Sequence, residues 1–181
     1  MVIVRFAVDN EQEEVEELAA TDPETKDFKY LWRRYGNWGK INPIIAFEDV
    51  DGEIIGLHAV TFGTRNHYAN SYYQLVAPAF RGQGVGGKMV DQMIKSAKSA
   101  ECTRLKFKTP FDTDGERFWR GFGLMPFAQD EKQFLFDVDI SNVQTLADLR
   151  SVTGDIPMSA MKGYERAGVT ILGRVYGKGV L

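Results

Sequence analysis

Cysteine and histidine are nearly missing from this chain of 181 residues, which holds Cys102 alone and two histidines, His58 and His67. A lone cysteine closes no disulfide within the chain, and one cysteine with two histidines builds no tetrahedral zinc site without carboxylates. No metal is expected. No apolar run approaches the ~18 residues that cross a bilayer, and the stretch before the first acidic run is too short for a signal-peptide core. The expectation is a cytoplasmic protein with no membrane partner. An excess of positive charge is also absent: 22 Lys and Arg against 25 Asp and Glu leave a net charge of −3, which excludes a globally basic nucleic-acid binder while leaving local patches open. Internal repeats and low-complexity tracts are missing as well. Against these absences stand 44% apolar residues, with 12 Phe, 7 Tyr and 3 Trp, enough for one domain's core and too many for a disordered chain.

Hydrophobic spacing divides the chain into elements. Val2 to Val8 alternate as a strand, and Asp9 or Asn10 then caps a helix to about Ala20 whose exposed face is acidic. Pro23 opens a second predicted helix, with Phe28, Leu31, Trp32 and Tyr35 as one apolar stripe, ended by Gly36 and Gly39. Pro43–Val50 and Glu53–Phe62 flank Asp51-Gly52, a pair suited to a two-residue turn with both positions at positive φ. That turn pairs Ile45 with His58 and Glu48 with Ile55, placing Glu48 and His58 on opposite faces. A third strand runs from about Asn70 to Ala77, a helix from near Val85 to Ala100, a strand from Arg104 to Thr109, a helix from Thr113 to Phe122 capped by Gly123, and a strand from Gln133 to Asp139. This order predicts an α/β (α+β) fold, a mixed sheet with helices on its faces. Beyond Ile140 come a short helix near 142–150, a helical turn near 160–166 and a strand-like GVTILGRVYG, too small to stand alone and so expected to pack on the sheet. The expected division is a core of residues 1–140 and an extension of residues 141–181.

The segment Arg81-Gly82-Gln83-Gly84-Val85-Gly86 lies between a strand end and a helix start. Clustered glycines let the backbone turn tightly and present successive N–H groups, and a helix N-terminus adds partial positive charge, so the segment reads as a phosphate cradle. Gly84 and Gly86 are both expected at positive φ. It is not the nucleotide-binding loop that ends in Lys-Ser or Lys-Thr, because Lys88 is followed by Met89. The dinucleotide fingerprint fails on its spacing and because the preceding strand follows a hairpin. A plain connector remains the alternative.

With VAPAF before it, Arg81, Gly84 and Gly86 at their spacing, the hairpin strand DGEIIGLHAV and the helix end ERFWRGFGL after it, the sequence resembles the GNAT superfamily of acyl-CoA-dependent N-acyltransferases from Val2 to about Ile140. The resemblance implies a mostly antiparallel central sheet. It also implies acetyl-CoA or another acyl-CoA as co-substrate, its pyrophosphate on the backbone of Arg81, Gly82, Gln83, Gly84, Val85, Gly86 and Gly87. The pantetheine arm would run beside Gln74, Leu75 and Val76, where that strand and Arg104–Thr109 splay apart. Catalysis would be direct attack of an amine on the thioester, with a strand N–H polarising the carbonyl and an acid protonating the thiolate. The family's usual tyrosine acid falls at Trp119, whose indole has no useful acidity, so Trp119 is expected to pack against the arm; Asp112 replaces a frequent asparagine.

Substitutes for the acid and base are Tyr72 and Tyr73, expected on opposite faces of one strand, and Glu48 as a base that activates water. Packing is the ordinary role of each tyrosine, and an exposed strand end that of Glu48. His58 alternates with apolar residues and reads as a buried, hydrogen-bonded histidine; Cys102 reads as a small packing residue. Lys26, Lys29, Arg33, Arg34 and Lys40 against Asp27, interleaved with aromatics, suit an anionic partner, either nucleic acid or a phosphorylated or carboxylated small molecule, while an amphipathic helix with a solvated basic face is the plainer reading. The C-terminal cations Lys162, Arg166, Arg174 and Lys178 give a weaker hint of the same kind. Nucleic acid stays open as a partner without being favoured, a non-catalytic acyl-CoA-binding module is a third reading, and a homodimer is left open.

Overall fold

Alternating burial along the strands, set against helices of period 3.6, decides the layering of the molecule. The computed structural model describes residues 1–23, 25, 42–48, 52–63, 65–151, 156–157, 169–172 and 175–176. The elements in chain order are β1 (Val2–Phe6), α1 (Gln12–Ala20), β2 (Pro43–Glu48), β3 (Ile54–Gly63), β4 (Tyr68–Val76), α2 (Val85–Ser99), β5 (Arg104–Pro110) and α3 (Asp114–Gly121). They continue with β6 (Ala128–Gln129), β7 (Gln133–Asp139), β8 (Ile156–Pro157), β9 (Thr170–Ile171) and β10 (Val175–Tyr176). Eight strands form one sheet in the order β1-β2-β3-β4-β5-β7-β6-β9, and β8 pairs with β10 separately. Within the large sheet β4 and β5 run parallel and the other neighbours antiparallel. The expected mixed, mostly antiparallel α/β sheet is therefore the fold. The predicted helix from Pro23, the basic-aromatic stretch 26–40, Asp51, the turn near 160–166 and the C-terminal cations lie outside the described residues.

Helices cover both faces. α2 buries Val85, Met89, Val90, Met93, Ile94 and Ala97, one stripe of its surface, against Ile44, Ala46, Val60, Leu105, Phe107 and Phe136. α1 buries Val15 and Ala19 on the opposite face against Ile45, Leu57 and Ala59. Residues after Ile140 close over α2: Val143, Leu146 and Leu149 join its core, Leu146 N–H donates to Asp91 Oδ1 at 2.6 Å, and Lys98 Nζ donates to the Val143 carbonyl at 2.9 Å. Within GVTILGRVYG, Thr170 and Ile171 pair with β6 and extend the sheet edge.

Two strand pairings depart from the sequence reading. β3 pairs with β2 one residue out of the expected register, with Ile44 opposite His58 and Ile45 opposite Leu57, and a bulge then sets Phe47 opposite Ile54. Gly52 takes the expected positive φ, 69°, and Asp51, the other half of the expected turn pair, lies outside the described residues. A slip of one residue exchanges the faces. Position 48 therefore falls on the same face as His58, contrary to the expectation. In β4 the register shifts between Ala59↔Tyr73 and Val60↔Ser71, so Tyr72 is the extra residue of a bulge. Tyr72 and Tyr73 consequently do not alternate across the strand; both pack against the α1-side cluster.

His58 is fully buried beneath α2, with Nε2 2.8 Å from Ser71 Oγ. Burial pushes its pKa down to about 3, only partly opposed by the Met89 backbone. The folded value lies below the unfolded one near 6.5, so the unfolded chain binds a proton that the folded chain refuses. Stability from this group is complete above pH ~6.5 and declines as pH falls toward ~3, about tenfold in the folding constant per unit. We expect denaturant titrations between pH 7 and 4.5 to show a slope about one proton smaller in His58→Gln than in the natural chain.

Candidate active site

The parallel ladder between β4 and β5 lasts for three pairs, Tyr68↔Arg104, Ala69↔Leu105 and Asn70↔Lys106, and then stops. Beyond it the strands part over a cleft of about 1040 Å³. β4 lines it from Asn70 to Val76, β5 from Lys106 to Pro110, and the α2 end with Arg81, Gly82 and Gly84 to Gly87. Ala77 N–H donates to the Ile55 carbonyl at 2.9 Å, on the β3 side. Since backbone groups alternate between the two edges of a strand, the N–H and C=O of Val76 and Gln74 turn toward β5 and the gap. Arg81 Nε meets the Val76 carbonyl there at 3.0 Å.

At the glycine segment, Gly82 and Gly84 hold φ of 77° and 79°, and a Cβ on either would meet nothing within 4 Å. Their need is conformational, and open space lies in front of them. Gly84 caps α2 in the left-handed region, leaving the first amides of a 15-residue helix directed outward. Gly86 differs from expectation: it is not among the positive-φ residues, and a Cβ there would lie 3.3 Å from Gln74 Nε2 and from Phe118 Cε2. It is small because strand, helix and ring close on it, and Gln74 Nε2 donates to its carbonyl at 3.0 Å. A Cβ on Gly87 would lie 3.1 Å from Leu146 Cδ2.

Arg81 joins three elements at the mouth. Besides Val76, it reaches Asp114 Oδ2 at 3.2 Å and Asp22 Oδ2 at 3.3 Å. Arg117 chiefly, and Arg81 more weakly, hold the Asp114 carboxyl below its usual range. Trp119 is 4% exposed and lines the cleft from the end of a ring ladder, stacked on Phe107 at 4.2 Å, which stacks on Phe136 at 4.5 Å. The indole is thus both wall and core.

Most of the expected site residues converge on the cleft. Gln74, Leu75, Val76, Arg81, Gly82, Gly84, Val85, Gly86, Gly87, Trp119, Tyr72 and Tyr73 all line it. Gln83 does not; it is exposed and its amide donates to the Ala79 carbonyl at 3.0 Å. Glu48 is not brought there either. Through Ala59, Tyr73 is level with Pro43 on β2, and Glu48 stands five residues further along that strand, about 17 Å away and two strands over. Phe118 and the Lys106–Lys108 pair were missed, although the alternation of Arg104, Lys106 and Lys108 with Leu105 and Phe107 marked one charged strand face.

A parted parallel pair beside an open glycine-capped helix start brings unpaired strand backbone and outward helix amides to one cleft. The chain belongs to the acetyltransferase (GNAT) family, whose sequence profile matches residues 9–124. Among solved structures, the fold is similar to an acetyltransferase of the GNAT family from Staphylococcus aureus Mu50 at 11% identity and TM-score 0.57, over 76% of this chain and 99% of that one. It is also similar to the PaiA N-acetyltransferase of Thermoplasma acidophilum in complex with coenzyme A, at 14% identity and TM-score 0.60, over 76% and 98% of the two chains. Ard1 from Thermoplasma volcanium aligns at 17% identity and TM-score 0.59, over 74% and 94%.

The geometry separates the glycines by cause. Gly84→Val forces a β-branched residue into the left-handed region, at about 1–2 kcal/mol, and projects it into the cleft. Gly86→Ala crowds only protein atoms. We expect isothermal titration with acetyl-CoA to show at least a hundredfold weakening for Gly84→Val and less than tenfold for Gly86→Ala.

Proposed function

We propose that this protein transfers an acyl group from acyl-CoA to a primary amine by direct attack. The observation that carries the reading is the gap between β4 and β5, with strand amides turned into it and the Gly82–Gly87 segment at its end. An extended pantetheine arm is the kind of ligand that takes the place of a missing strand, because its amides can pair with unused backbone groups. The backbone around Gly82 and Gly84 fits the pyrophosphate: it offers amides, a helix start and room. A CoA complex of a fold neighbour supports the same assignment.

In this reaction the amine nitrogen bonds to the acyl carbon, the carbon–sulfur bond breaks and CoA leaves as thiolate. A backbone N–H from Gln74 or Val76 stabilises charge on the carbonyl oxygen. Trp119 excludes water from the arm. The proton for sulfur comes from Tyr72 or Tyr73, both on the cleft wall, with Thr61 Oγ1 within 3.5 Å of the Tyr72 hydroxyl, and the proton that the amine nitrogen loses passes through solvent in the open cleft and restores that hydroxyl. Because the bulge turns both rings to one face, either hydroxyl can stand in for the other.

Two measurements test this. Acetyl-CoA at a hundredfold excess over Kd should stabilise the fold by about 2.7 kcal/mol, with an adenine nucleotide lacking the arm doing far less. No shift at millimolar acyl-CoA would remove the cofactor assignment. The double variant Tyr72→Phe/Tyr73→Phe should lower kcat by about 10² to 10⁴, each single variant by much less. An unchanged rate in the double variant means that the thiolate leaves unassisted.

A further inference from the structure

β5 sorts its side chains strictly. Leu105, Phe107 and Thr109 are buried, the first two against the α2-side core, and Arg104, Lys106 and Lys108 take the opposite face at alternate positions. That face is shared with Asn70, which pairs with Lys106 across the last rung of the ladder, and with Tyr73. Lys106 and Lys108 both line the cleft. The carboxylate answering this row is Asp137, whose side chain is fully buried; Arg104 Nε lies 2.6 Å from its Oδ1 and Lys106 Nζ 3.7 Å from its Oδ2. Lys106 is further fixed with Nζ 3.6 Å from the Tyr68 ring centroid. Lys108 is exposed and makes no ion pair with a described residue; Asp130, the acid nearest to it in effect, is engaged by the Lys132 and Gln133 backbone and the Gln133 amide. Asp139 stands opposite Arg104 on the same face, so Arg104 and Lys106 have carboxylates across β7 while Lys108, opposite Leu135, is the cation of the row without an ion pair among the described residues. The other charges on the wall, Asp22, Asp114 and Arg81, pair with each other across the mouth.

An amine acceptor meets this wall with a problem. As an ammonium ion it is repelled, and as a bare alkylamine it gains nothing from the cations. We propose that the acceptor is an amine that also carries an oxyanion, a carboxylate or a phosphate, which Lys108 binds with Lys106 beside it. The oxyanion anchors one end through charge-assisted hydrogen bonds. The two lysine charges disfavour an ammonium ion and so favour the neutral form of the amine at the other end, the form that attacks. This inference rests on the acyltransferase reading and names the substrate class of the same cleft.

Matched pairs of amines that differ only in the oxyanion test it: γ-aminobutyrate against butylamine, tyrosine against tyramine, and O-phosphoethanolamine against ethanolamine. CoA release from acetyl-CoA is followed as free thiol, with kcat and KM resolved separately. We expect the oxyanion-bearing member of the carboxylate or the phosphate pairs to be favoured at least tenfold in kcat/KM, mainly through KM. Which series shows the preference tells a carboxylate from a phosphate. Lys108→Glu should erase that preference and Lys108→Arg should keep it, and a rise in Tm with acetyl-CoA checks the folding of both variants. The inference is overturned if the plain amine is equal or better in every pair, or if Lys108→Glu leaves the ratio unchanged. Binding of acetyl-CoA with no transfer to any of these amines overturns the transferase reading instead, and this inference with it.

Discussion

The parting of β4 from β5 after Asn70 and Lys106 is the constraint on which the site depends. Two parallel strands that separate leave backbone amides and carbonyls without ladder partners, a costly arrangement unless water or a ligand meets them. The structure holds them apart with bulk. Phe118 and Trp119 of α3 stand beside Phe107 of β5, and the stack continues to Phe136 of β7. Rings packed at interior density do not collapse to let the ladder re-form. The same wedge that keeps the strands open walls the cleft they create, so the price of an incomplete sheet is also the origin of the cleft.

The start of α2 is fixed from three sides. Gln74 from β4 holds the Gly86 carbonyl, Phe118 closes on Gly86, and Leu146 from the chain after Ile140 sits against Gly87. The amides of the glycine segment are thereby presented by a rigid base, and rigid placement of donors is what gives an anion site its strength. Residues 141–149 take part through Leu146 and through Lys98 and Asp91 on α2, so the helix that caps the site is braced by chain lying beyond the matched family region.

The tyrosines and the lysines occupy one face of the parted strands and the glycine segment the end of the other layer, a division set by the bulge at Tyr72 and by the alternation of β5. Had Tyr72 and Tyr73 alternated, one hydroxyl would point into the α2-side core. The bulge spends one residue of β4 to bring both to the wall where acceptor and thioester meet in the proposed reaction.

The sequence by itself determined the elements and the place of the glycine segment. Periodicity located α2 within a residue of each end and β7 at its observed bounds, and clustered glycines marked the strand–helix junction that opens beside the cleft, because these signals are local and depend on backbone chemistry. It also read His58 as buried, because apolar residues alternate with it, and Cys102 as a small packing residue, and both are buried. What it could not hold is registry. A bulge is one residue of slack distributed by packing on both strands, so the pairing of Ile44 with His58, the shared face of Tyr72 and Tyr73 and the remoteness of Glu48 were decided only when the sheet assembled. Gly86 shows the same division at one position: the sequence demanded a small residue there, and only the tertiary structure shows that Gln74 and Phe118, and not a positive φ, are the reason.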